Sequence, residues 1–475
     1  LSQAVEKGAR FITVDPRYST IAGKSDFWLP IKPGTDIALL LAWMHVIINE
    51  NIYQKGFIKN NTVGFKELAK HVRDKTPEWA YIYTGIEPEV IRKTARIMAK
   101  NAPASFVHPG RHVVWYGDDT QRTRAIGILN ALLGNWGKKG GFYLPNLFKV
   151  NSPKPKAKLP KGRNYPFPDK DNFPAATAIP SQSVLRASIP GKNGIKKGKQ
   201  IRAWLAYGCN IPLTMPDPKM VAEALQALDL VVAIDILPVE ITGYADVVLP
   251  ECSFLERFGG LDARAYRIPY MAIRQPVVKP LYQSKPGYWI AKNLAKRITI
   301  KGRSLERFFP YRNLEEKLQK QTELSGVPYA KLKRDGAVTK KPEPIYDYSK
   351  KMEFGTKSGK VELYSETLKE LGLDPLPEFR PPVEPPTGYF RLLFGRHPVH
   401  SFSRTTNNKV SLEIFGENVL WLNSEMAKTM SIKPDSYVYL ENQDGAKSGR
   451  IKVKITERIR QDCVYMVHGF GRKDK

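Results

Sequence analysis

Cysteine is scarce in this chain: the three that occur, Cys209, Cys252 and Cys463, lie far apart with no C-x-x-C spacing. That excludes a zinc site or an iron–sulfur cluster built from this chain alone. Each thiol is expected as a small buried apolar side chain. No G-x-G-x-x-G follows a β-rich run, and the nearest approach to a phosphate loop, Gly194-Ile195-Lys196-Lys197-Gly198-Lys199-Gln200, has the wrong spacing and no Ser or Thr after its lysine. The common dinucleotide and P-loop fingerprints are therefore excluded. Long apolar runs are missing too. The best, residues 37–48, is interrupted by His45, is shorter than the roughly 20 residues a membrane helix needs, and reads as a buried helix.

Acidic residues are also in short supply. Against 75 Lys and Arg stand 46 Asp and Glu, a net charge of +29, which favours anionic cofactors or substrates. The lysines are spread along the chain, not gathered in a stripe interleaved with aromatics, so nucleic acid is not an expected partner. An apolar content of 42% with 25% charged residues is that of a globular protein, and 475 residues allow about three domains. The chain opens on Leu1 and on what reads as the last turns of a helix, and it stops just after His468-Gly469-Phe470-Gly471. The expectation is a fragment whose N-terminal portion, with any targeting signal, lies upstream.

Along the chain, residues 1–145 alternate strand and helix patterns, with helices expected at 37–48, 87–100 and 118–133 and strands at 11–14, 27–31 and 104–107. Residues 146–200 read as a basic Pro- and Gly-rich insertion or linker. The α/β pattern resumes over 201–300, with strands at 201–207, 230–234 and 245–249 and a helix at 218–228. Residues 301–386 form a charged helical and proline-rich connection. From 387 to 475 the texture changes to short β runs separated by turns, as in a small barrel. The fold class expected is α/β, with Rossmann-like three-layer domains followed by a C-terminal β-barrel of the double-psi type.

Two strand ends stand out near the start. The run at 11–14 ends in Asp15-Pro16-Arg17, and the run at 27–31 leads to Pro33-Gly34-Thr35-Asp36. Ligands of open α/β sheets collect at the carboxyl ends of strands. A carboxylate there suits a base edge or a ribose hydroxyl, and a glycine lets backbone N–H groups come close. The loop His108-Pro109-Gly110-Arg111-His112 offers a permanent forked donor in Arg111 and a proton near neutral pH in His112. Its proline and glycine exclude a helical metal pair, and no metal ligand is expected in this chain. The loop at 395–408, GRHPVHSFSRTTNN, is dense in hydrogen-bonding side chains and opens the β-domain.

Taken in order, VDPR, PGTD, GCNIP, YADVVLPE, GRHPVHSFSRTTNN and VHGFG resemble the catalytic subunit of molybdopterin-dependent oxidoreductases, the dimethyl sulfoxide reductase superfamily. GRHVVWYGDDT, AIDILPVE and RLLFGRHPVHSFSRTTNN resemble its polysulfide/thiosulfate reductase branch. The resemblance implies two molybdopterin guanine dinucleotides holding one molybdenum. Asp15, Arg17, Gly34 and Asp36 would grip one guanine nucleotide. Gly208, Asn210 and Asp235 would contact the other. Arg396, His400, Ser403, Thr405, Asn408 and His468 would line the pterins, while Arg111 and His112 would face the metal and a small anionic sulfur substrate. The family's [4Fe-4S] cluster and its molybdenum ligand are expected upstream of Leu1. An iron–sulfur electron-transfer subunit, a quinol-linked membrane subunit and a periplasmic location complete the implied setting. Other expectations compatible with these residues are an arsenate or tetrathionate reductase of the same superfamily and a metal-free scaffold subunit of a respiratory complex.

Overall fold

The structure is a computed structural model that describes residues 2–110, 118–142, 148–153, 181–191, 195–196, 199–264, 268–300, 302–340, 352, 354–406 and 408–470. The chain divides into two compact units. One comprises residues 1–143 with 346–475, the other residues 144–345. The β-rich C-terminal portion thus folds with the N-terminal α/β portion, although some 200 residues of sequence separate them.

In the first unit, strands Ile12–Val14 and Phe27–Leu29 pair in parallel. Helix Asp36–Asn49 (DIALLLAWMHVIIN) follows. Its apolar residues run almost all round, so it is the central helix of the unit's core, as such a pattern requires. Leu39, Leu41, Met44 and Ile47 are fully buried, among residues of helices Pro88–Lys100 and Asp119–Leu132. Thr94 on one neighbour accepts the indole N–H of Trp43 at 2.9 Å. Helix Asp119–Leu132 starts on an Asp118 cap that accepts the Gln121 N–H at 2.9 Å, satisfying a donor that has no intrahelical partner.

The C-terminal β-domain is one mixed five-stranded sheet. Its strands are ordered Arg391–Gly395, Cys463–Val467, Val419–Asn423, Ile451–Thr456, Tyr437–Val438. Neighbours in the first and third of these pairings run parallel, and those in the second and fourth antiparallel. Its core is Leu420, Leu422, Val453 and Val464.

The second unit contains a parallel three-stranded sheet, Ala203–Tyr207, Leu230–Asp235 and Val247–Pro250, in sequence order. Helices Ser181–Ser188 and Pro218–Gln226 contribute to the core under one face, with Trp204, Ala206, Val231 and Ala233 from the strands. The same unit holds an antiparallel trio, Leu261–Arg264, Tyr270–Ile273 and Ala337–Thr339, which the sequence pattern does not announce. Among the described residues no helix is long and apolar enough to cross a membrane. Of the three cysteines, Cys252 and Cys463 are buried as expected, but Cys209 is exposed at a strand end.

Candidate functional site

The first strand-end loop is built by packing against the β-domain. Asp15 Oδ1 accepts the backbone N–H of Arg17 at 2.9 Å, closing a tight turn that suits Asp. The Trp28 indole N–H donates to the Asp15 carbonyl at 2.8 Å. Arg17 then leaves the turn to lie over the ring of Tyr465, 4.1 Å from its centre, and within 5.4 Å of Trp421. The Tyr18 N–H donates to the Arg458 carbonyl at 2.9 Å. Burial pushes the Asp15 carboxyl above its usual range, against the lowering pull of the Arg17 N–H and charge. Beside this turn lies a cavity of ≈ 440 Å³ lined by Trp28, Pro30, Asn423, Ile459, Arg460, Gln461 and Asp462. Arg460 forms its wall, forked onto Asp462 at 2.8 and 2.9 Å and donating to the Pro30 carbonyl at 2.6 Å.

The second loop turns on Gly34, whose φ of +86° is open to glycine at little steric cost. Asp36 is the first residue of the central helix, where a carboxylate complements the helix dipole. Burial raises its pKa, and the nearby Arg122 guanidinium opposes that rise. Arg122 is itself buried. It pairs with Asp119 at 2.7 Å and donates to the Pro109 carbonyl at 2.9 Å.

Pro109 ends an extended segment where the sequence pattern predicts a strand at 104–107, and the structure has no strand there. Side chains take the place of a neighbouring strand. The Asn130 amide accepts the Val107 N–H and donates to the Val107 carbonyl, both at 2.9 Å, and Asn135 donates to the Ser105 carbonyl at 2.7 Å. Arg122, Asn130 and Asn135 thus support the segment that continues into Arg111 and His112. Those two residues lie outside the described residues.

In the second unit the parallel strands end at Gly208, Asp235 and Glu251. Gly208 has a φ of +59°, and a Cβ there would meet nothing within 4 Å, so its backbone is open to a ligand. Asp235 accepts the N–H of Ile236 at 2.7 Å. Asn210 works internally: its amide donates to the Glu240 carboxylate and accepts the Ile241 N–H, joining the loops that follow the first and second strands. Glu251 is a residue the sequence reading did not single out. It is buried, accepts the Tyr207 hydroxyl at 2.5 Å and pairs with Arg257 at 3.1 Å. Burial and this carboxylate push the Tyr207 hydroxyl up to about 12.

The long loop of the β-domain is held in shape by three of the residues the resemblance singles out. His400 Nε2 donates to the Phe415 carbonyl at 2.7 Å, and its Nδ1 lies 3.2 Å from Thr405 Oγ1, which accepts the Ser401 N–H at 2.9 Å. The carbonyl can only accept, so Nε2 carries the proton. Asn408 caps the following short helix by accepting the Ser411 N–H at 3.1 Å. His397 stacks flat on Phe415 with ring centres 4.0 Å apart. Burial, and then the neighbouring His400, lower its pKa. Arg396 lies exposed over the Phe402 ring, and the His468 ring meets Phe402 edge-on at 4.4 Å. Ser403 sits in the same turn as Phe402. Among the described residues no group of three or more His, Cys, Asp or Glu is arranged to hold a metal ion.

These donors and acceptors suit a phosphate-linked guanine dinucleotide. Carboxylates for a base or ribose and left-handed glycines stand at strand ends in both units, and cationic and hydroxyl donors cluster on the β-domain loop. Comparison with known proteins gives the family. Residues 1–297 match the molybdopterin oxidoreductase family, and residues 390–475 match the molybdopterin dinucleotide binding domain. The chain is 29% identical to the thiosulfate reductase molybdopterin-containing subunit PhsA of Salmonella typhimurium, over 100% of this chain and 66% of that protein. It is 28% identical to the dimethyl sulfoxide reductase DmsA of Escherichia coli, over 99% of this chain and 63% of that protein. The solved acetylene hydratase from Pelobacter acetylenicus shares the fold, with a TM-score of 0.81 at 24% identity, over 99% of this chain and 68% of that one. The chain spans 63–66% of the length of the thiosulfate and dimethyl sulfoxide reductase relatives. With more than half of its length matched by the family model, the chain belongs to the molybdopterin oxidoreductases of the dimethyl sulfoxide reductase superfamily.

Proposed function

We propose that the chain is the cofactor-holding part of a catalytic subunit that reduces an inorganic sulfur compound, thiosulfate or polysulfide. The observation that carries this reading is the similarity to a thiosulfate reductase subunit along the whole chain, joined to matching nucleotide-type strand ends in both units. Asp15, Gly34 and Asp36 would hold one guanine nucleotide, with Arg17 fixing the first turn against Tyr465. Gly208 and Asp235 would hold the other, with Asn210 fixing their loops. Arg396, Ser403 and His468 would meet the pterins on a loop shaped by His400, Thr405 and Asn408.

When bound, the molybdenum supplies a two-electron couple between +4 and +6. With thiosulfate, two electrons and two protons break the S–S bond and give hydrogen sulfite and hydrogen sulfide ion, so charge and atoms balance. Arg111 would hold the dianion, and His112 would place a proton near the departing sulfur. The net positive charge of the chain favours capture of such an anion. The electrons would come from an iron–sulfur subunit fed by a quinol-linked membrane subunit, through a [4Fe-4S] cluster in the upstream region, and the complex would face the periplasm.

The test is dye-linked turnover by the full-length protein, with reduced viologen as donor and thiosulfate, polysulfide, tetrathionate and arsenate as separate acceptors. Oxidation of the dye with thiosulfate or polysulfide, exceeding that with tetrathionate and arsenate, supports the assignment. Turnover with arsenate or tetrathionate alone moves the chain to another branch, and no turnover with any acceptor refutes the enzyme reading.

A further inference from the structure

The residue at the centre of the β-domain loop is one that no turn signal marks. Phe402 has φ +54°, in the left-handed region where a bulky side chain is out of place. Such strain persists only where the surroundings impose it. The surroundings here are Gly469, whose own φ is +96°: a Cβ on it would lie 2.3 Å from the Phe402 carbonyl carbon and 2.7 Å from the Ser403 nitrogen. The 468–470 segment therefore presses its backbone onto the Phe402 peptide as only a glycine can. The result is a ring set between two donors. The Arg396 guanidinium carbon is 4.0 Å from the ring centre, and the His468 ring stands edge-on at 4.4 Å.

A guanidinium lying over an aromatic face is held by its plane, which leaves the N–H groups around its edge free to meet an anion. Among the described residues no acceptor takes the N–H groups of Arg396. We propose that Phe402 is a positioning residue whose strained backbone, locked by Gly469, aims Arg396 and His468 together at the phosphate-bearing dinucleotide. This rests on the reading of the chain as a holder of guanine dinucleotides. The left-handed turn is the cost, and the oriented pair of donors is what it secures.

The test uses the full-length holoenzyme with Phe402→Gly, Phe402→Leu and Phe402→Tyr. Glycine removes the ring while tolerating the backbone, so a purely conformational role predicts a Phe402→Gly protein as good as the parent. The positioning role predicts that Phe402→Gly and Phe402→Leu release guanine nucleotide about two- to fivefold faster on dilution, the loss expected when an exposed cation–π contact goes. Phe402→Tyr keeps the parental rate, and the melting midpoint of cofactor-stripped Phe402→Gly is not lowered. Parental release from Phe402→Gly, failure of Phe402→Tyr to rescue, or a lowered midpoint of the stripped Phe402→Gly protein overturns the proposal. A parent protein carrying no guanine nucleotide at all would overturn the functional reading and this inference together, whereas a loaded parent with an indifferent Phe402→Gly overturns this inference alone.

Discussion

The two sets of parallel strand ends occupy the same topological position but are held by different forces. The Asp15 turn is held by packing: an indole bond from Trp28, an arginine laid over Tyr465, and burial deep enough to raise the carboxyl pKa. The Gly208 end is held by polar bonds between loops, with Asn210 joined to Glu240 and Ile241, while Gly208 itself faces open space. One strand-end turn is held by a neighbouring domain, and the other is tied together by its own loops. Substitutions in the first should therefore act through unit stability, and those in the second through local order.

The largest effect is expected from Arg122→Met. Arg122 and Asp119 have side chains only 8% and 13% exposed, and removing one member of a buried pair costs up to about 3–5 kcal/mol because the other charge loses its opposite in a poorly solvated place. Asp36 loses its opposing cation in the same change. Denaturant unfolding of the first unit should show the loss, and a change under 1 kcal/mol would show that the pair is not structural. Asn210→Leu should come next. It removes the Asn210 bonds to the Glu240 carboxylate and the Ile241 N–H, a loss of about 1–3 kcal/mol, expressed as a lower guanine nucleotide content with the first unit's unfolding midpoint unchanged. Arg17→Ala removes the stacking over Tyr465 and should cost about 1–2 kcal/mol, with Arg17→Lys restoring only part, since an ammonium lacks the flat face of a guanidinium.

The smallest effect is a pH dependence. Burial raises the carboxyls of Asp15 and Asp36, so the folded chain holds protons that the unfolded chain releases. Their contribution to stability is fully present below the ordinary carboxylate pKa and is lost as pH rises through the raised values. In cofactor-stripped protein, Asp36→Asn should flatten that fall. An unchanged pH profile would mean that Asp36 is not charged at the expense of folding.

Much of this was legible in sequence because it rests on local pattern. The central helix announces itself by an apolar run between Asp36 and Asn49, and the strand ends by Asp-Pro and Pro-Gly punctuation. The short β runs read over residues 387–475 form the five strands of the mixed sheet, separated by turns. What stayed hidden depends on partners distant in sequence. Residues 104–107 have strand composition, but Asn130 and Asn135 supply the hydrogen bonds that a neighbouring strand would. The antiparallel trio joins Tyr270–Ile273 to Ala337–Thr339 across more than sixty residues. Cys209 looks like any small apolar residue until the chain is folded and its strand end is found exposed. Phe402 carries no turn signal at all, because its conformation is imposed by Gly469.

If these residues cradle paired guanine dinucleotides with a metal, as proposed, the full-length protein carries both, and its molybdenum and guanine nucleotide content is the decisive test. Metal analysis together with nucleotide release after acid treatment should find guanine nucleotide and molybdenum in a two-to-one ratio. Full-length protein that folds and carries neither would contradict the account.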